Sequence, residues 1–180
     1  MRRISLRLAL ILTTLLPVFS VSASETTQSG SSAQKLQVQA KEISWEALMP
    51  PVDPVMLEKH NAGQLTPEQV NDYIEKLGKT PGKELDKMVV RIPGFLVPLN
   101  MDKNQTATEL LLVPTLGACI HVPPPPPNQT VYVRFNQGIK VTEAGYTPYW
   151  LEGMLKVEKK TSQYTDTLYS MTVETIEEYK

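Results

Sequence analysis

The sequence predicts a mainly β fold: a small antiparallel barrel of the OB type following one or two N-terminal helices, with a β-sandwich as the alternative. Three observations carry this. Apolar and polar residues alternate over Thr130–Phe135 and again over Tyr149–Val157, the period of a half-buried strand. Gly94 and Gly153 each stand inside an apolar strand pattern, where a glycine lets a strand curl. One strongly capped helix precedes the strands and none follows them.

Taken in order, residues 1–23 read as an export leader. Arg2, Arg3 and Arg7 form a basic start, Leu8 to Val18 is apolar, and Val21-Ser22-Ala23 offers a small-residue cleavage site. The mature chain is then expected in the periplasm, soluble after cleavage. Residues 24–41 are rich in Ser, Thr and Gln and read as a flexible linker. The rest, 42–180, is expected to be one globular domain, with a helical part over 42–79 and the barrel over 86–180.

Trp45 and Leu48 share a face at helical spacing, and Pro50-Pro51 ends that turn. Trp45 reads as a core anchor. Thr66-Pro67-Glu68-Gln69 is a capping box with proline at the first helical position. Val70, Tyr73, Ile74 and Leu77 then give an apolar stripe, and Gly78 is expected to stop the helix. From Met88 the period becomes that of strands: Met88–Ile92 continuing through Gly94–Leu99, then Thr108–Val113, Thr130–Phe135, Tyr149–Val157 and Leu168–Thr175. Pro93-Gly94 predicts a bulge or bend in the first of these.

Composition narrows the function classes. Removing the leader takes 18 basic residues to 15 against 19 acidic ones, so formal charge moves from −1 to −4. That balance excludes a basic nucleic-acid footprint. The single cysteine, Cys119, forms no intramolecular disulfide. In an oxidising compartment it is buried, metal-bound or paired with another chain. No phosphate loop, HExxH, GxSxG or CxxC is present, so no catalytic constellation is recognisable and a non-enzymatic role is expected.

The chain's most unusual stretch is Gly117-Ala118-Cys119-Ile120-His121-Val122, then Pro123, Pro124, Pro125, Pro126 and Pro127, then Asn128-Gln129. Proline fixes φ near −65° and biases its predecessor to extended geometry, so five in a row predict a stiff polyproline II rod. In extended chain, Cys119 and His121 would point to one side. Thiolate with imidazole suits zinc, and His60 is the candidate third ligand. The plainer reading is a buried free cysteine beside a loop histidine. A nucleophile–base pair is a third, with nothing to orient the base. Asn128 and Gln129 are expected to close the rod by bonding its free carbonyls.

The G-A-C-I-H-x-P-P-P-P-P-N-Q stretch resembles the signature of a family of secreted bacterial proteins known only as a domain of unknown function. The resemblance runs from about Trp45 to the C-terminus. It implies a periplasmic accessory role, because some members are encoded beside ABC-transporter components and within zinc-regulated gene sets. Two functions are therefore expected to compete. One is a zinc-binding accessory of an envelope ABC transport system, with a dimer as one way to complete the metal site. The other is a metal-free interaction module that presents the proline rod to a partner.

Overall fold

The structure, a computed structural model, describes residues 39–119, 121–140 and 146–180. The leader at 1–23 and the linker as far as residue 38 lie outside the described residues. Six strands form one mixed sheet: β1 (Lys41–Glu42), β2 (Met88–Pro98), β3 (Thr106–Val113), β4 (Val131–Lys140), β5 (Pro148–Thr161) and β6 (Asp166–Glu178). The order is β1-β2-β3-β4-β6-β5, and β2 pairs with β5 as well, so the hydrogen bonds run in a ring. The expected all-antiparallel pairing is corrected: β1 runs parallel to β2, and β4 parallel to β6.

The ring is possible because β2 serves two neighbours. Its first part, Met88–Phe95, pairs with β5; its last part, Phe95–Pro98, pairs with β3. The exchange falls beside Gly94, where a Cβ would lie 2.7 Å from the Val113 carbonyl oxygen. The Pro93-Gly94 signal thus marks a change of partner within one continuous strand. Gly153 acts similarly. It sits at a register shift between β5 and β6, and any Cβ there would overlap the Thr172 carbonyl oxygen.

Alternation puts one face of every long strand into the core. Val90, Ile92, Leu96, Leu110, Leu112, Val131, Val133, Leu151, Leu155, Tyr169 and Met171 are all essentially buried there. Full burial of one such side chain contributes roughly 1.5–3 kcal/mol. The Tyr169 hydroxyl lies 2.6 Å from the Leu48 carbonyl and 2.9 Å from that of Gly82, and burial pushes its pKa up to about 12. Trp45 is half-buried in a 3-10 turn (Trp45–Leu48), and its Nε1 donates to the Pro93 carbonyl at 2.7 Å. It closes the backbone beside the partner exchange.

A second apolar cluster lies apart from the core. Val97, Leu111 and Val113, strand residues that alternate with the core-facing ones, are buried with Ala118. Phe95, Leu99, Cys119 and Tyr132 pack against them.

Two helices precede β2: α1 (Pro54–Asn61) and α2 (Pro67–Gly78). The Thr66 capping box forms in full, with Gln69 N to Thr66 Oγ1 at 3.3 Å and Thr66 N to Gln69 Oε1 at 2.9 Å. Helix α2 covers less than its stripe led one to expect, since Ile74 stays 57% exposed. No helix among the described residues is long and apolar enough to cross a membrane.

Thr66→Ala removes one capping acceptor and is expected to cost α2 about 1 kcal/mol. Amide exchange within Pro67–Gly78 should then speed roughly fivefold. Unchanged exchange would show that the cap carries no stability.

Candidate functional site

The segment between β3 and β4 joins three parts of the molecule. It leaves β3 at Val113, makes a tight turn, runs through the prolines and enters β4 through a 3-10 turn at Pro127–Gln129. The turn replaces the extended segment expected around Cys119. Its hydrogen bonds run from Ala118 N to Thr115 O, from His121 N and Val122 N to Gly117 O, and from Cys119 N back to Val122 O at 3.1 Å. Gly117 and Cys119 have φ of 77° and 66°. A left-handed backbone is ordinary for glycine, whereas a non-glycine residue held there is strained. The i, i+2 rule of an extended strand therefore does not place Cys119 and His121 on one side. Ile120 lies outside the described residues.

Cys119 is half-buried, packed on the Val97–Leu111–Val113 cluster, and burial pushes its thiol pKa up. The thiol is accordingly held protonated at neutral pH. His121 is exposed and lies over Gly117. His60 is exposed in the last turn of α1. Among the described residues no three His, Cys, Asp or Glu side chains gather where they could hold a metal ion. A structural zinc ion takes four ligands, including deprotonated thiols. The described residues of one copy offer two donors on one turn, and so do not by themselves fit a zinc centre.

The rod is exposed at one end and anchored at the other. Val122 is 49% exposed, and Pro123 and Pro124 are exposed after it. Pro126 has φ −55° and ψ 154°, within the polyproline II range. It packs against the end of α2, where a Cβ on Gly78 would come within 2.8 Å of the Pro126 Cβ. The residue after the helix, Lys79, has φ −97°. Gly78 is therefore required for a close approach; it does not supply the left-handed stop expected of it.

Asn128 fixes the junction. It is fully buried, and its Nδ2 donates to the carbonyls of Leu77 at 2.8 Å and Thr80 at 2.9 Å. Leu77 is in the last turn of α2, where carbonyls run out of intrahelical donors, and its oxygen also accepts from Thr80 N at 3.1 Å; Thr80 lies two residues past the helix. A residue some 50 positions away in sequence thus caps the helix. Gln129 Nε2 donates to Trp45 O at 3.0 Å, and the Gln129 backbone N–H to Pro126 O at 2.8 Å. The expectation that Asn128 bonds the rod's own carbonyls is corrected: its side chain serves the helix. The rod's Pro126 carbonyl is met by the Gln129 backbone N–H and, at 3.4 Å, by the Thr130 hydroxyl.

Sequence reasoning passed over the outward-facing residues beside this segment. Leu116 is 48% exposed within the turn. Tyr132 packs on the same cluster as Cys119, and Arg134 pairs with Glu109 at 3.0 Å. Alternation along β4 showed that Tyr132 and Arg134 oppose its core-facing residues; their partners depended on long-range register.

The chain matches the family model "Protein of unknown function (DUF3299)" over residues 45–178 and belongs to that family. The crystal structure of a DUF3299 family protein from Pseudomonas aeruginosa PAO1 is similar to it. The two are 32% identical with a TM-score of 0.60, over 79% of this chain and 97% of that one. No curated protein matches the chain.

Asn128→Ala is expected to destabilise the protein by about 2 kcal/mol, because it removes two buried hydrogen bonds, although Leu77 O keeps the Thr80 backbone N–H. Urea unfolding measures this. An unchanged midpoint would mean that α2 and the proline segment are not held together through this amide.

Proposed function

We propose that this DUF3299 family member is a non-enzymatic periplasmic accessory protein whose Leu116–Pro124 turn and rod dock a partner protein. One observation carries the reading. The far end of the rod is pinned by Pro126 on Gly78 and by Asn128 on the end of α2, while Leu116, His121, Val122, Pro123 and Pro124 stay exposed. The described residues on either side of residue 120 are held by the turn's backbone hydrogen bonds and by the anchored end before a partner arrives. Binding then costs little conformational entropy, as in the recognition of proline-rich segments by aromatic grooves. The gene context implied by the signature resemblance makes envelope ABC-transporter components the partners to test. The OB-type barrel belongs with this proposal. The ring of pairing and the curl at Gly94 and Gly153 support it.

The direct test is a photo-crosslinking residue at Val122 in the full-length exported protein. A discrete adduct with an envelope transport component is expected. It should be lost when Pro124 and Pro125 are both glycine, changes that also destabilise by roughly 0.4–1 kcal/mol per site. An equal adduct from a crosslinker at exposed Lys159, or none at Val122, would remove the docking reading.

A second reading keeps Cys119 and His121 as zinc donors, favoured by their place on one turn. The remaining ligands then come from a second copy or a partner, and zinc must displace the thiol proton that burial retains. The expected sign is Cys119 alkylation that rises on chelation, with zinc uptake weakened alike by Cys119→Ser and His121→Ala. Equal protection with and without chelator, and parental zinc binding in both variants, would exclude it.

A further inference from the structure

A different surface, independent of the docking proposal, is built by register on the outside of the sheet. Strand β6 lies between β4 and β5. Ser170 pairs with Tyr132 on one side and Lys156 on the other; Thr172 pairs with Arg134 and Met154. Within each row a short hydroxyl side chain is flanked by two long ones. The result is a trough along β6 with a hydroxyl floor and tall walls.

The trough holds a cavity of about 240 Å³. Its charged lining is Arg134, Lys156 and Lys160 against one carboxylate, Glu158. Arg134 is paired with Glu109 at 3.0 Å and Lys160 with Glu158, so Lys156 is the charge in surplus there. Among the described residues Lys156 is in none of the close ion pairs, and its charge, after the hydrogen bond and charge of Lys160, helps hold the Glu158 carboxyl below the usual range. Glu158 already behaves as an occupant: one oxygen is 2.8 Å from Lys160 Nζ and the other accepts from Ser170 Oγ at 2.7 Å. Both partners of the Lys160–Glu158 pair are over 40% exposed, so a ligand can replace the pair at small cost.

We propose that this trough binds a small organic oxyanion, a carboxylate or a phosphate ester, on Lys156, Lys160 and the Ser170 hydroxyl. Tyr132 supplies apolar wall for the rest of the ligand. The volume is below the 300–1,000 Å³ usual for drug-sized ligands, which limits the occupant to a small metabolite. Because Tyr132 also packs on the cluster under Cys119, the trough adjoins the turn.

The test titrates inorganic phosphate and succinate separately into the protein, in a buffer free of both. Calorimetry gives affinity, and the Ser170 and Thr172 amide shifts locate the site. Whichever probe binds identifies the source of the oxyanion. Lys156→Gln is expected to weaken binding about tenfold, the loss of one charge-assisted hydrogen bond. Glu158→Gln removes the internal competitor and is expected to tighten it several-fold. Both residues are exposed, and an unchanged unfolding midpoint verifies each fold. Absence of binding by both probes overturns the proposal, as does any result in which Glu158→Gln fails to tighten or Lys156→Gln fails to weaken.

Discussion

The structure depends on β2 bonding to two strands in succession. A strand of 11 residues whose first part faces β5 and last part faces β3 makes the sheet's pairing circular, so both long edges of an open sheet are satisfied internally. This demands that β2 come very close to β3 where it changes partner, and Gly94 is the residue that permits it. Once the ring is formed, alternation alone separates an apolar inside from a mixed outside. Every feature discussed as functional is a property of that outside.

The proline segment acts as a joint within the molecule. Its N-terminal turn covers the Val97–Leu111–Val113 cluster, while its C-terminal end caps α2 and reaches Trp45 O through Gln129. Helix α2 buries little surface of its own, with Gly78 as its only buried residue, so its position rests heavily on these few contacts. Helix α1 buries none of its residues and is tied to α2 through Asp53 N–H and the Tyr73 hydroxyl at 2.9 Å. The helical part is thus held mainly at the end where the rod docks.

What could be read from sequence was what local chemistry determines. The Thr66 box, the strand alternation and the special status of Gly94 and Gly153 all follow from short-range rules. Helix α1 had a legible start, Asp53 before Pro54, with Asp53 Oδ1 accepting from Val55 N at 2.9 Å. It lacked an apolar stripe because it buries nothing, and periodicity finds only helices that do. The parallel β4–β6 pair was invisible because strand direction is decided by long-range topology. Of the candidate site, the exposed prolines were legible. The left-handed Cys119 was not, since a non-glycine residue gives no sign of it. Gly78 was read as a stop when its lost side chain actually makes room for Pro126.

These corrections change how the cysteine is weighed. Spacing made Cys119 and His121 look like a pair, and a pair invites a metal. The surroundings act the other way on the sulfur. An apolar cluster beneath it raises the thiol's pKa, and metal binding needs the thiolate. A small, weakly polar side chain suits a half-buried position on a strained turn packed against the sheet. On this account Cys119 seats the turn on the sheet. The groups left to meet other molecules are those the turn holds outward, Leu116, His121, Val122 and the first prolines, and their presentation depends on how firmly the sulfur and Asn128 hold the segment's two ends.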